Sequence, residues 1–161
     1  MIDAISSTLK VDVPEGASFL TISREFDAPP EAVFRAMTDP ELIPQWWGPA
    51  RYATEVTELT ARTGGSWRFV QRGDDGEFGF RGVFHEVVPA ERIIQTFEFE
   101  PMPGHVILET LTFEDLGGRT RISGSSAFQT VEDRDGMVAA GMEGGLAEGY
   151  DRLDALLANQ G

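Results

Sequence analysis

Two carboxylates stand where apolar side chains are expected. Glu109 falls on the alternation of Ile107, Leu111 and Phe113, and Glu86 on that of Phe78, Phe80, Gly82 and Phe84. A carboxyl group drawn into an apolar face loses hydration, so its ionised form is disfavoured and it needs a partner. Such a group is a candidate general acid or base, or a polar anchor for a ligand. Gln95 shares the same displaced parity between Ile93 and Phe97. Arg24, Arg81 or a tyrosine hydroxyl could pair with either carboxylate, and the sequence does not choose among them. A bulge shifts parity by one residue and would turn either Glu to solvent.

Other chemistries find no complete residue set. The chain has no Cys, which excludes disulfides, thiolate zinc sites and cysteine nucleophiles. No Gly-x-Ser-x-Gly elbow occurs. His85-Glu86-Val87-Val88-Pro89 begins like a zinc-protease motif, but the second His is absent. His85 and His105, the two histidines, read as structural. Asp133-x-Asp135-Gly136 fails as a calcium loop, because its first and twelfth positions would be Val131 and Met142. Arg72-Gly73-Asp74 reads as a hairpin turn, and no phosphate or dinucleotide loop follows a strand. No catalytic set is assigned; Glu109 and Glu86 are the only candidates. No metal and no cofactor is expected.

The elements that would position these residues follow from periodicity. From Tyr52 to Phe128 the period is two, with strands expected at 51–60, 66–72, 77–88, 91–100, 105–115 and 119–128. The turns between them are short, so an antiparallel meander follows. An earlier strand runs from Phe19 to Phe26. Pro29-Pro30 then opens a helix striped by Val33, Phe34 and Met37, and a second short helix carries Leu42, Ile43, Trp46 and Trp47. Residues 1–16 read as a loose arm, and residues 17–161 as a single domain.

The C-terminal stretch Glu132–Asn159 reads as one long helix, with Val138, Met142, Leu146, Tyr150, Leu153 and Leu157 at spacings of three and four. Thr130 and Asp133 resemble a capping box. Gly141, Gly144, Gly145 and Gly149 interrupt it, each at about 1 kcal/mol against Ala. Glycines placed there imply a close sheet or space kept for a ligand. The expected pocket lies between this helix and an aromatic sheet face. Its expected lining is Trp47, Trp67, Phe69, Phe80, Phe97, Phe99, Glu109, Met142, Gly145 and Leu146. The Gly141/Gly145/Gly149 spacing also matches a membrane-helix dimer motif, but Glu143, Glu148 and Asp151 interrupt it.

The net charge of −14 argues against nucleic acid and anionic membranes as partners. Residues 1–16 lack the basic and apolar regions of a signal peptide, and no stretch reaches the ~18 apolar residues of a membrane span. A cytoplasmic location is the expectation.

Several motifs carry a resemblance. They are Arg24-Glu25-Phe26-Asp27-Ala28-Pro29, Val33-Phe34, Thr38-Asp39-Pro40 and Gln45-Trp46-Trp47-Gly48-Pro49. With them go Gly64-Gly65-Ser66-Trp67-Arg68-Phe69, Gly82-Val83-Phe84, Val88-Pro89-Ala90-Glu91-Arg92, Gly141-Met142-Glu143-Gly144-Gly145 and Asp151-Arg152-Leu153. Over about residues 20–158 the chain resembles the START-like (SRPBCC) superfamily, in the branch similar to the activator of the ninety-kilodalton heat-shock-protein ATPase. The resemblance implies an α+β helix-grip fold, a curved antiparallel sheet around a long C-terminal helix, usually over an apolar cavity. It carries no shared catalytic set.

Three functions are therefore compared. The first is non-catalytic binding of a small apolar or aromatic molecule. The second is a cyclase, dehydratase or hydrolase using Glu109 or Glu86 in the same pocket. The third is a protein-interaction module, such as a chaperone partner, using exposed Trp46 and Trp47. A homodimer is compatible with all three.

Overall fold

Alternating apolar residues and glycine-rich turns generate eight strands in one antiparallel sheet. In this computed structural model, which describes residues 8–160, the strands are β1 (Lys10–Asp12), β2 (Phe19–Phe26), β3 (Ala53–Leu59), β4 (Ser66–Gly73), β5 (Gly76–Val88), β6 (Arg92–Phe99), β7 (Val106–Asp115) and β8 (Thr120–Ala127). Their order is β1-β2-β8-β7-β6-β5-β4-β3. The six expected meander strands are present with ends moved by a few residues. β2 does not pair with its sequence neighbour β3 but with β8, from Phe19 opposite Ala127 to Phe26 opposite Thr120.

Helices α1 (Pro30–Thr38), α2 (Val131–Ala139) and α3 (Met142–Gln160) complete the α+β helix-grip fold. Proline at the start of α1 already has the φ a helix needs and forgoes an N–H that would be unpaired there. α2 starts on Thr130, whose Oγ1 accepts from the Asp133 backbone N at 3.0 Å. Tyr150, Leu153 and Leu157 of α3 pack with Phe26, Phe113 and Ile122 of the sheet and Val33 of α1 in one core. Leu153 is fully buried, worth about 1.5–3 kcal/mol. On the outward face, Arg81–Glu98 and Arg121–Glu25 pairs cross neighbouring strands, and Arg68 of β4 reaches over Gly79 of β5 to Glu100 just past β6. None of the described helices is long and apolar enough to cross a membrane.

Three expectations are corrected. The single long helix is two. Gly141 takes φ +91°, a left-handed conformation that ends α2 before α3 begins at Met142. The second short helix contracts to a 3₁₀ turn, Ile43–Gln45, where Pro44 supplies no N–H and Trp46 closes on Ile43 at 3.2 Å. Within the stretch read as a loose arm, Lys10–Asp12 adds an edge strand to β2; residues 1–7 lie outside the described residues.

Candidate functional site

The sheet curves around a partly open pocket of about 380 Å³. Its walls come from the inward parity of the strands and from α2 and α3. β4 contributes Trp67, Phe69 and Gln71; β5 contributes Phe80 and Phe84; β6 contributes Ile93, Gln95 and Phe97; β7 contributes Ile107, Glu109 and Leu111. Met137 of α2 and Met142, Gly145, Leu146 and Tyr150 of α3 close the other side.

Trp47, Trp67, Phe69, Phe80 and Phe97 form one continuous aromatic wall. Trp47 meets Phe69 and Phe80 edge-to-face, each at 5.1 Å between ring centres. Trp67 lies 4.8 Å from Phe69 and 5.9 Å from Phe97. The indole Nε1 of Trp67 is buried without a hydrogen-bond partner, against Gly82. The two neighbouring tryptophans divide. Trp46 is buried and its Nε1 donates to the Ala36 carbonyl at 2.8 Å, while Trp47 is half-buried and faces the pocket. Neither offers the exposed surface that the protein-interaction reading needs, and that basis for it is withdrawn.

α3 clamps the segment that carries Trp47. Arg152 Nη1 donates to the Gly48 carbonyl at 2.8 Å, and the Ala50 N–H donates to Glu148 Oε2 at 2.7 Å. Gly149 packs where a Cβ would lie 3.3 Å from both Gly48 N and Trp46 O. Gly48 itself has φ +78°, and a side chain there would overlap the Gln71 amide. Gly145 differs from Gly149. A Cβ at Gly145 would meet only Pro49 Cγ, at 4.0 Å, so Gly145 faces room in the pocket.

Glu109 points into this pocket. Gln95 Nε2 donates to its Oε1 at 3.0 Å, across the register pair Gln95–Glu109. Its remaining accessible surface faces the pocket. Burial pushes its carboxyl up to about 7, partly offset by the Gln95 hydrogen bond. Burial, and then the nearby Glu109 carboxylate, push the Tyr150 phenol above its ordinary value. Arg24, considered above as a partner for Glu109, is instead engaged elsewhere. Its Nη2 bonds Asp151 at 3.1 Å, its Nη1 donates to the Tyr150 carbonyl, and it stacks over Phe26.

Of the expected site residues, nine line the pocket: Trp47, Trp67, Phe69, Phe80, Phe97, Glu109, Met142, Gly145 and Leu146. Phe99 does not. It is opposite Phe80 in the register and stacks on Phe78 and Phe80, beyond the pocket's end. Glu86 also lies outside. A register shift between Phe84 and Glu86 reverses the parity, so Val87 faces the core and Glu86 bonds Arg92 at 2.7 Å. That bond holds the Glu86 carboxyl below its ordinary value, the opposite of what a buried acid would show. Gln71 and Tyr150 were not expected in the site. Tyr150 was hidden among the apolar residues of its helical row, and Gln71 follows Trp67 and Phe69 on the inward parity of β4. Among the described residues no group of three or more His, Asp or Glu is placed to hold a metal ion.

The family model of the Activator of Hsp90 ATPase homolog 1-like proteins matches residues 27–158. The chain belongs to that family. Among solved structures, a protein from Rhodobacter sphaeroides is 28% identical with a TM-score of 0.86, covering 94% of this chain and 99% of that one. A protein from Arthrobacter aurescens is 27% identical with a TM-score of 0.85, covering 93% and 91%. The AHSA1 protein of Silicibacter pomeroyi, 23% identical with a TM-score of 0.73 over 89% and 99% of the two chains, shares the fold. Among curated proteins, none matches in sequence. Membership of the Hsp90-activator-like family accounts for the helix-grip architecture. The chemistry of the site has to be read from its own residues.

Proposed function

We propose that this protein binds a small apolar or aromatic molecule, without turning it over, in the pocket between the sheet and α3. The observation that carries the reading is the aromatic wall facing open space beside Gly145, with the hydrogen-bonded Gln95–Glu109 pair in the same lining. Such a site buries a ligand's hydrocarbon and orients it through few hydrogen bonds. A cytoplasmic location and the exclusion of nucleic acid belong to the same proposal, and the charge of −14 supports the second.

A second reading has one observation in its favour. A carboxyl near pKa 7 is matched to general acid–base work in a cyclase, dehydratase or hydrolase. Against it stands the surrounding chemistry: Thr110, Ser125 and Ser126 bring hydroxyls to the lining, but no His or Lys stands there to activate one, and no second carboxylic acid lines the pocket beside Glu109.

The test uses the neutral fluorophore N-phenyl-1-naphthylamine. Wild type should bind it, and mass spectrometry should recover it unchanged. Gly145→Leu fills the open side with little to overpack and replaces a helical glycine, so stability should hold or rise by up to about 1 kcal/mol. Binding should fall at least tenfold. Equal binding by the variant would place the ligand elsewhere.

A further inference from the structure

Glu109 is a carboxylate without a cation. Gln95 satisfies one oxygen, and among the described residues no ion pair reaches either. No Lys, Arg or His lines the pocket, and the other ionisable lining group is the Tyr150 phenol. Nearby arginine charge is committed: Arg24 bonds Asp151 and the Tyr150 carbonyl. The structure thus keeps an acid in an apolar chamber and withholds the countercharge that would normally accompany it.

The wall beside it is suited to the same sign of charge. Aromatic faces carry negative electrostatic potential and attract organic cations. Phe97 follows Gln95 on the inward face of β6, about 7 Å along the strand. It continues through Phe80 and Trp47, with ring centres 5.7 and 5.1 Å apart. A wholly apolar ligand would leave the carboxylate dry and uncompensated. An anionic ligand would be repelled by it.

From the lone carboxylate and the aromatic wall we infer that the pocket selects a hydrophobic organic cation, an amine or quaternary ammonium whose charge rests near Glu109 while its hydrocarbon lies against Phe97, Phe80 and Trp47. The inference rests on the pocket being a ligand site. Cation binding favours the ionised acid, so it displaces the proton from Glu109. Affinity for a permanently charged ligand therefore rises with pH until Glu109 is ionised in the free protein, and then levels. The other ionisable groups near it do not titrate in this range. The Tyr150 phenol, the other ionisable group of the lining, is pushed up by burial, further from this range.

Three probes of nearly one shape separate the possibilities: benzyltrimethylammonium, its uncharged carbon isostere neopentylbenzene, and pivalophenone, a neutral ketone. Calorimetric titration of the full chain at pH 5.5 and 8.5 measures each. The cation should bind wild type at least tenfold tighter than neopentylbenzene at pH 8.5, and at least fivefold weaker at pH 5.5 than at pH 8.5. Glu109→Gln should lose the preference for charge while still binding neopentylbenzene. If neopentylbenzene or pivalophenone binds wild type as tightly as the cation at pH 8.5, the charge inference is overturned and the apolar ligand site stands. If none of the three binds, both are overturned.

Discussion

Glu109→Gln should stabilise the protein at pH 8.5 by on the order of 3 kcal/mol. The folded chain holds the Glu109 proton up to about pH 7, whereas the unfolded chain releases it near 4.5. Between these values the native state binds more protons than the unfolded state, so this group lowers stability as pH rises. Its contribution is fully present below about 4.5, is lost progressively through about 7, and is flat above. Gln keeps the shape and the acceptor for Gln95 but has nothing to ionise. The advantage of the variant should shrink to about 1 kcal/mol by pH 5. Urea unfolding of both proteins at four pH values gives the difference directly, and other titrating groups cancel between them. A difference that stays constant across the range would mean that Glu109 titrates as an ordinary surface acid.

Gly82→Val should cost about 3 kcal/mol or more, lowering Tm by about 6–12 °C. A Cβ at Gly82 overlaps the Thr96 carbonyl oxygen and comes within 2.5 Å of Trp67 Nε1. The first neighbour is backbone of β6, paired on both sides, and cannot yield cheaply. The second anchors the aromatic wall, so near-UV circular dichroism should change along with stability. Gly136→Ala is the contrast. Gly136 is exposed inside α2 with nothing within 4 Å of a new Cβ, so this change should raise stability by up to about 1 kcal/mol. Thermal unfolding of the pair decides between a close-approach glycine and a merely tolerated one. A Gly82→Val protein as stable as wild type would mean that β5 and β6 separate freely there.

How far the sequence could be read depended on whether a feature was local. Alternation in β7 is unbroken, so Ile107 and Leu111 place Glu109 inward without knowledge of its partners. Glu86 turns outward against the same alternation, because the register shift after Phe84 is a property of two strands together. Glycine in the C-terminal stretch was visible as an anomaly, yet its three uses were not. Gly141 takes a left-handed turn, Gly149 admits the backbone of Gly48, and Gly145 leaves space. Those uses depend on what stands opposite, which periodicity does not record. The division between Trp46 and Trp47 has a partly local cause. Trp46 and Trp47, adjacent on a turn, cannot share one direction, and Trp46 reaches Ala36 while Trp47 meets Phe69 and Phe80.

The pairing of β2 with β8 bears on how the chain is made as well as how it stands. Phe19–Phe26 is synthesised well before Thr120–Ala127, the strand it pairs with along its whole length, which follows only after roughly a hundred further residues, on the order of 5–20 s at ordinary translation rates. Through that interval Leu20 and Phe26, both fully buried in the finished molecule, have neither β8 beside them nor α3 above them. The hairpins from β3 to β7 can zip as they appear, since each pairs with its neighbour in sequence. Closing the sheet is therefore the slow, long-range event, and until β8 is translated the nascent chain carries an apolar strand with only the three-residue β1 to pair with.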